Sequence, residues 1–296
     1  MKILLFGKNG QVGWECQRAL VPLGEVVALS SASDDHCGDL KNSDGIAETV
    51  RRVRPDIIVN ASAYTAVDKA ESEPEIARSI NAVAPGVLAR EAAESGAWLV
   101  HYSTDYVFDG SGDAAWSEND PTGPLSVYGT TKLEGERAIQ DSGCRHLIFR
   151  TSWVYASRGS NFAKTMLRLA WERERLTVVA DQFGTPTGAD LIADVTAHAI
   201  RSSLSEPRLG GIYHLVADGV TTWHRYASLV VDTARESGEG IKAREVAPIP
   251  SSAFPAPAQR PANSRLATAK LRAAFGLTLP PWEFGVKRML AEILER

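Results

Sequence analysis

The chain has 296 residues, 44% of them hydrophobic and 23% charged, with a formal net charge of −4. That length and apolar content allow a substantial core in one large domain or two modest ones, and the near-neutral balance, with no sustained Lys/Arg tract, excludes electrostatic capture of nucleic acid or an anionic membrane. Cys16, Cys37 and Cys144 fit neither a disulfide framework nor a zinc knuckle and read as reduced thiols, and the lack of a signal-like segment or an 18-residue apolar span predicts a cytoplasmic protein.

Residues 2–6 form a short apolar run that reads as a buried strand, followed directly by Gly7-Lys8-Asn9-Gly10-Gln11-Val12-Gly13 and a helical pattern through Leu20. Gly7 permits a tight turn, Gly10 lets a pyrophosphate approach the backbone, and Gly13 lets the helix pack closely on the strand. The spacing is not that of the G-x-G-x-x-G fingerprint, but its place after the first strand points to a nucleotide held at a helix amino terminus.

Further strands are predicted at 26–29, 56–60, 98–102 and 146–150, and helices at 46–53, 75–94 and 128–140. This alternation predicts an α/β fold, a doubly wound parallel sheet of Rossmann type. Ligands in such sheets lie beyond the carboxyl ends of the strands. The loops 7–13, 61–65, 103–108 and 151–155 are therefore expected to line one crevice. Beyond Tyr155 the pattern becomes irregular: a helix at 162–173, a strand at 177–180, a helix at 190–202, a proline-rich stretch at 248–261 that suits neither a helix nor a central strand, and a closing helix at 282–294. The expected organisation is a dinucleotide-binding domain over 1–152 and a smaller α/β substrate lobe over 153–296, with some segments returning to the first domain.

Tyr128-Gly-Thr-Thr-Lys132 places a phenol and an ammonium four residues apart, on one face of a helix. A phenol titrates near pH 10, and an adjacent cation is expected to lower that value, so the pair reads as a tuned acid/base. Thr104 reads alone as a loop hydroxyl capping a turn, and beside Tyr128 and Lys132 as a catalytic group.

Together, the glycine loop, the segment Tyr102-Ser103-Thr104-Asp105-Tyr106-Val107-Phe108-Asp109-Gly110 and the Tyr128-x-x-x-Lys132 pair resemble the extended short-chain dehydrogenase/reductase superfamily. More narrowly, Ala63-Tyr64-Thr65-Ala66-Val67-Asp68-Lys69-Ala70-Glu71, Arg150-Thr151-Ser152-Trp153-Val154-Tyr155 and Arg260-Pro261-x-Asn263-Ser264 are similar to the dTDP-4-dehydrorhamnose reductase family, over nearly the whole chain. The resemblance implies hydride transfer from NADPH or NADH to C4 of a dTDP-linked 4-keto-6-deoxy sugar, giving dTDP-L-rhamnose for surface polysaccharide, by a homodimeric enzyme with a Thr104, Tyr128, Lys132 triad. Tyr128 would donate the proton, Thr104 would bind the same oxygen, and Lys132 would lower the tyrosine pKa while touching the nicotinamide ribose.

On the cofactor side it implicates Gly7, Gly10, Gln11, Val12, Gly13, Ser30, Asp39, Leu40, Ala63, Tyr64, Thr65 and Tyr102. Ser30 stands where dinucleotide folds often place a ribose-gripping acid, so a 2′-phosphate would meet no carboxylate and Lys8 in the loop would attract it. On the substrate side, Asp105 reads as an acceptor for sugar hydroxyls or as a turn former, Trp153 as a flat face for the sugar or a core residue, and Arg260 as a diphosphate partner or a solvated arginine. Glu15, Asp190 and Glu292 match positions where some relatives hold Mg²⁺ between subunits, with solvated surface acids as the alternative. Dehydratases of the superfamily resemble one another in having Thr-Asp-Glu. Tyr106 replaces that glutamate here, which leaves a 4-epimerase and a non-catalytic NADP-binding regulatory subunit as the rival expectations.

Overall fold

The computed structural model describes residues 1–294. Its first half runs β1 (Lys2–Phe6), α1 (Gln11–Leu20), β2 (Glu25–Leu29), α2 (Ser43–Val53), β3 (Ile57–Asn60), α3 (Val67–Ala70), α4 (Pro74–Arg78), α5 (Ala84–Ser95), β4 (Trp98–Thr104), α6 (Val127–Asp141) and β5 (Arg145–Thr151). The second half runs β6 (Val154–Tyr155), α7 (Phe162–Glu172), β7 (Arg175–Val179), β8 (Phe183–Gly184), β9 (Thr187–Gly188), α8 (Ala189–Ser205), β10 (Gly211–His214), β11 (Thr221–Thr222), α9 (Trp223–Glu236), β12 (Glu245–Ile249), α10 (Ala269–Phe275) and α11 (Trp282–Leu294).

Six strands form one all-parallel sheet in the order β10-β5-β4-β3-β1-β2. Such a sheet is covered on both faces, which explains why its central strands are continuous apolar runs. Alternation sorts their side chains. Ile3, Leu5, Ile57, Val59, Val100, Leu147 and Phe149 pack with α1, α8 and α10 on one face, whereas Leu4, Phe6, Ile58, Leu99 and Ile148 pack with α2 and α5 on the other. The chain order reverses between β1 and β3, so the loops after these strands open the crevice typical of a topological switch point. The expected doubly wound sheet is thus present.

The remaining elements build a second core from α7, α9 and α11 around β7 and β12. Pro248 lies within β12, tolerated because that strand edges a two-stranded sheet. The sequence reading missed β10 and α9. It also took 75–94 as one helix, whereas α4 and α5 are joined by a π-helical turn at Ser79–Val83 that aims Asn81 into the crevice. All three cysteines are free, with Cys37 only half-buried. Among the described residues no helix is long and apolar enough to cross a membrane.

Candidate active site

The glycine loop turns tightly because Gly7 has φ of +88°, and a Cβ there would come within 2.8 Å of the Ala61 and Ser62 backbone after β3. Gly13 is required for another reason: a Cβ would stand 2.1 Å from the Gly7 carbonyl oxygen, inside van der Waals contact, so only glycine lets α1 lie this close. At Gly10 a Cβ would meet the Gly7 carbonyl oxygen at 3.4 Å, an ordinary contact, so no clash demands glycine there. Gly10 is the N-cap of α1 and supplies no side-chain cap, so the first N–H groups of the helix, including those of Gln11 and Val12, face outward unsatisfied.

Ser30 follows β2, its N–H donating to Ser33 Oγ at 3.0 Å. Asp39 and Leu40 lie beyond it; Asp39 accepts from the Lys41 N–H, and the Leu40 side chain is core. Ala63, Tyr64 and Thr65 form the loop after β3. That loop is pinned by Asn81, which accepts from Tyr64 N–H at 2.8 Å and donates to the Tyr64 carbonyl at 3.1 Å and to Thr131 Oγ1 at 3.3 Å. Asn81 was not singled out from sequence, where its only signal is a polar residue among small ones ahead of Pro85.

At the end of β4, Thr104 is the N-cap of a 3₁₀ turn (Asp105–Val107): its Oγ1 accepts from Tyr106 N–H at 3.2 Å and donates to Asp105 Oδ1 at 3.0 Å. Thr104 therefore caps the turn at the end of β4, and its one hydroxyl hydrogen goes to Asp105. Tyr128 sits in the first turn of α6, a helix capped by Ser126 Oγ accepting from Gly129 N–H, and its ring meets Tyr106 edge-on at 5.5 Å. Lys132, one turn on, donates to the Tyr102 carbonyl at 2.6 Å and lies 3.0 Å from His101 Nε2.

The electrostatics depart from expectation. Burial pushes Tyr128 up to about 12, opposed only in part by the Thr104 hydroxyl, and brings Lys132 down to about 8. Spacing alone foresaw a lowered phenol. Desolvation prevails because Lys132 is buried with its nitrogen engaged by β4, and Tyr128 is half-buried at the start of α6. At Tyr102 the hydroxyl bonds Cys16 Sγ at 3.3 Å and Thr196 Oγ1 at 2.9 Å, and the carbonyl accepts from Lys132.

Asp105 is buried, which raises its pKa to about 6, and its Oδ2 has no hydrogen-bond partner. Trp153 follows β5 with φ of +49°, a strained value for a bulky residue, and stacks on Trp223 at 3.6 Å. Arg260 is not a lone solvated arginine. Its Nη2 donates to Asp68 Oδ2 at 2.8 Å, tying the 260–266 segment to the loop that starts α3, while its Nε is buried without a partner.

Glu15, Asp190 and Glu292 do line one cavity of about 430 Å³. Arginines occupy their oxygens, however: Arg18 pairs with Glu15, and Arg288 with Asp190 at 3.1 Å and Glu292 at 3.7 Å. Among the described residues no three His, Cys, Asp or Glu side chains are grouped to hold a metal ion. Within one chain the three acids therefore do not assemble the expected Mg²⁺ site, each being paired with an arginine through one oxygen.

The chain is similar to known proteins. The sequence model of the family described as the RmlD substrate binding domain matches residues 1–295. The dTDP-4-dehydrorhamnose reductases of Salmonella typhimurium (strain LT2) and Escherichia coli (strain K12) are each 61% identical over 293 residues, 99% of this chain and 98% of theirs. The solved dTDP-4-dehydrorhamnose reductase of Bacillus anthracis, a complex with NADP, is 33% identical, with a TM-score of 0.87 over 98% of this chain and 99% of that one. On a family model matched almost end to end and relatives this similar, the chain belongs to the dTDP-4-dehydrorhamnose reductase family.

Proposed function

We propose that the protein reduces the C4 keto group of dTDP-4-dehydro-L-rhamnose to dTDP-L-rhamnose at the expense of NADPH or NADH, in the cytoplasm, for surface polysaccharide. The observation that carries this reading is the placing of Thr104 at the carboxyl end of β4, with Lys132 bonded to the Tyr102 carbonyl of that strand and Tyr128 one turn earlier on α6, beside a glycine loop with an uncapped helix amino terminus.

The chain's own groups fit a dinucleotide. Free N–H groups at Gln11 and Val12, beside Gly10, suit a pyrophosphate, Ser30 with Asp39 and Leu40 the adenosine side, and Ala63, Tyr64 and Thr65 the central span. When bound, NADPH or NADH supplies the hydride. Residues 1–152 then hold mainly the cofactor, and 153–296 mainly the sugar nucleotide.

Hydride addition to a ketone leaves an alkoxide that needs a proton, and an alkoxide is a much stronger base than a phenolate. A Tyr128 held up at about 12 is fully protonated near neutrality, so it arrives at each turnover loaded with the proton to be given. Positive charge on Lys132 then stabilises the phenolate, and the Thr104 hydroxyl does so once its hydrogen turns from Asp105 to the phenolate. Asp105 Oδ2, buried and unpartnered, suits a sugar hydroxyl donor. The exposed part of Trp153 offers an apolar platform to a deoxysugar, and Arg260, braced by Asp68, offers its remaining donors to a diphosphate.

Two copies of the chain are read as a homodimer. A 4-epimerase would need the same triad but would return its hydride, so oxidised cofactor leaving after each turnover separates the two activities, and a regulatory subunit would show no turnover. NADPH loss in an assay that generates dTDP-4-keto-L-rhamnose from dTDP-glucose tests the assignment. Tyr128→Phe keeps the ring but removes the proton, and should lower turnover by about 10²- to 10⁴-fold with cofactor affinity little changed; near-normal turnover would refute the assigned role.

A further inference from the structure

The indole of Trp153 is gripped on both faces. A Cβ on the buried Gly184 would stand 2.6 Å from Cε2 of that indole and only slightly farther, 2.8 and 3.0 Å, from the two atoms bonded to it, Cζ2 and Nε1. A point so nearly equidistant from all three lies over the ring, because an in-plane approach to Cε2 would leave its neighbours clearly farther off. Any side chain at Gly184 would therefore collide with the face of the indole, and glycine alone lets the backbone of β8 lie on it. Trp223 stacks on Trp153 with 3.6 Å between ring centroids and 16° between planes. It covers the opposite face, since on the same side its own atoms would be the first that such a Cβ met.

The two jaws are registered against each other. Gly184 pairs with Thr221, and Phe183 with Thr222, across the antiparallel β8–β11 pair. Thr222 is the N-cap of α9, its Oγ1 accepting from Arg225 N–H at 3.2 Å, so the next residue, Trp223, opens that helix at a fixed place beside β8. Phe162 of α7 backs Trp223 at 4.6 Å. Bonds on either side of the indole's own backbone hold it at φ of +49°: Ser152 Oγ donates to the Thr185 carbonyl at 3.1 Å, and the Trp153 carbonyl accepts from Thr187 N–H at 3.3 Å. A positive φ at a bulky residue persists only where the surroundings over-determine it, as they do here.

We propose that Gly184 and Trp223 are positioning residues that clamp Trp153, so that the apolar surface it offers the sugar nucleotide is the rim of its indole and not a face. Trp153 is half-buried, and with both faces taken its rim is what remains to meet a ligand. An open face would let a sugar ring slide across it. A fixed rim is a wall, which sets how deeply and at what angle the sugar lies relative to Thr104 and Tyr128. The wall is tied to the rest of the proposed sugar site through β8, because the Phe183 carbonyl accepts from Ser264 N–H at 2.7 Å and the Phe183 N–H donates to the Ala262 carbonyl at 2.8 Å, within the segment that begins at Arg260.

The role in turnover rests on Trp153 meeting the sugar nucleotide of the proposed reaction, whereas the clamp stands without it. In protein labelled with fluorotryptophan, with the Trp153 signal assigned by its loss in Trp153→Phe, the free wild type should give one sharp ¹⁹F line for Trp153, and dTDP-L-rhamnose should move it. Two or more exchanging lines in the free wild type overturn the clamp, and that measurement needs no clamp variant to fold. Gly184→Ala presses on one face of the indole and Trp223→Ala frees the other. Each should lower kcat/KM for the keto sugar by roughly 10- to 100-fold, KM changing more than kcat and NADPH affinity staying as it was. Trp223→Phe keeps an aromatic face against the indole and should recover most of that loss. Unchanged kcat/KM in folded Gly184→Ala or Trp223→Ala overturns the proposal, as does an equal loss of NADPH affinity, which would mark general damage. A Trp153 line unmoved by dTDP-L-rhamnose in a protein that turns over the keto sugar overturns the rim contact. If the wild type oxidised no NADPH with the keto sugar while dTDP-L-rhamnose moved a single Trp153 line, the reductase reading would fail and the clamp would stand.

Discussion

Glu136→Gln tests how far the site depends on charge buried behind it. Glu136 and Arg150 form an ion pair with side chains only 1% and 4% exposed, held by Nε contacts of 3.0 and 3.2 Å and an Nη2 contact of 2.7 Å. Glutamine has nearly the same shape, so the change removes charge and leaves no cavity. The guanidinium is then buried without a counter-ion, already lacking a partner for Nη1 and resting on the Phe108 ring. Breaking such a pair from one side costs about 3–5 kcal/mol. With an unfolding entropy of about 2.1 cal/mol/K per residue, 296 residues give roughly 0.6 kcal/mol/K, so the melting temperature should fall by roughly 5–8 °C in calorimetry. The double variant Glu136→Leu, Arg150→Met removes both charges and should recover most of that loss, because desolvating the pair offsets much of its attraction. A fall of less than about 2 °C in the single variant would refute the argument. A double variant no better than the single would show that shape, not charge, sets the cost. Turnover gives a second readout: Glu136 supports the charge on Lys132, so its loss should move the lysine's titration to lower pH.

Three further changes probe separate parts of the site. Gly13→Ala places a methyl 2.1 Å from the Gly7 carbonyl oxygen; α1 must shift, at about 1–3 kcal/mol of stability, and titration should show NADPH affinity lost along with it. Ser30→Asp adds a carboxylate after β2 that grips a ribose and repels a 2′-phosphate, so the ratio of kcat/KM values should swing from NADPH towards NADH by about one order of magnitude, and an unchanged ratio would remove Ser30 from the ribose site. For Asp105, the folded value of about 6 lies above the usual 3.8, so its contribution to stability is fully present below about pH 4 and lost as the pH rises through 6. Asp105→Asn cannot ionise and should gain on the wild type over that window, by roughly 1–3 kcal/mol in urea unfolding at pH 7.5 relative to pH 4.5; a gain independent of pH would show that Asp105 is not destabilised as an anion.

What was legible in the sequence was what local geometry fixes. The strand–loop–helix start, the four-residue spacing of Tyr128 and Lys132 and the Thr104 segment need only chain connectivity, so their places follow from helix and strand periods. What stayed hidden depends on pairing across the fold. Asn60 and His101 are 41 residues apart and become partners only through the β3–β4 register. Asn81 reaches the loop after β3 because a π-helical turn redirects it, a local choice that the helical pattern at 75–94 does not disclose. Three acids can be matched by position, but Arg18 and Arg288 lying among them is a tertiary fact. The shift at Tyr128 was read with the wrong sign because spacing reports the nearby charge and says nothing of desolvation.

The glycines of α6 account for how those parts are brought within bonding distance. A helix-interior glycine costs about 1 kcal/mol relative to alanine, and α6 carries two, Gly129 and Gly135. At Gly129 a Cβ would stand 2.3 Å from the Tyr106 carbonyl oxygen, and at Gly135 one would stand 2.1 Å from the Asn81 carbonyl oxygen. Each glycine therefore lets α6 press directly on backbone: one on the 3₁₀ turn that Thr104 caps, the other on the π-helical turn that aims Asn81 at the loop after β3. Tyr128 lies next to the first contact and Lys132 midway between the two, so the helix is registered at both ends of the stretch that carries the chemistry. Helix propensity is given up where backbone must meet backbone, and the polar atoms of the site inherit the resulting precision without depending on long, mobile side chains to find one another.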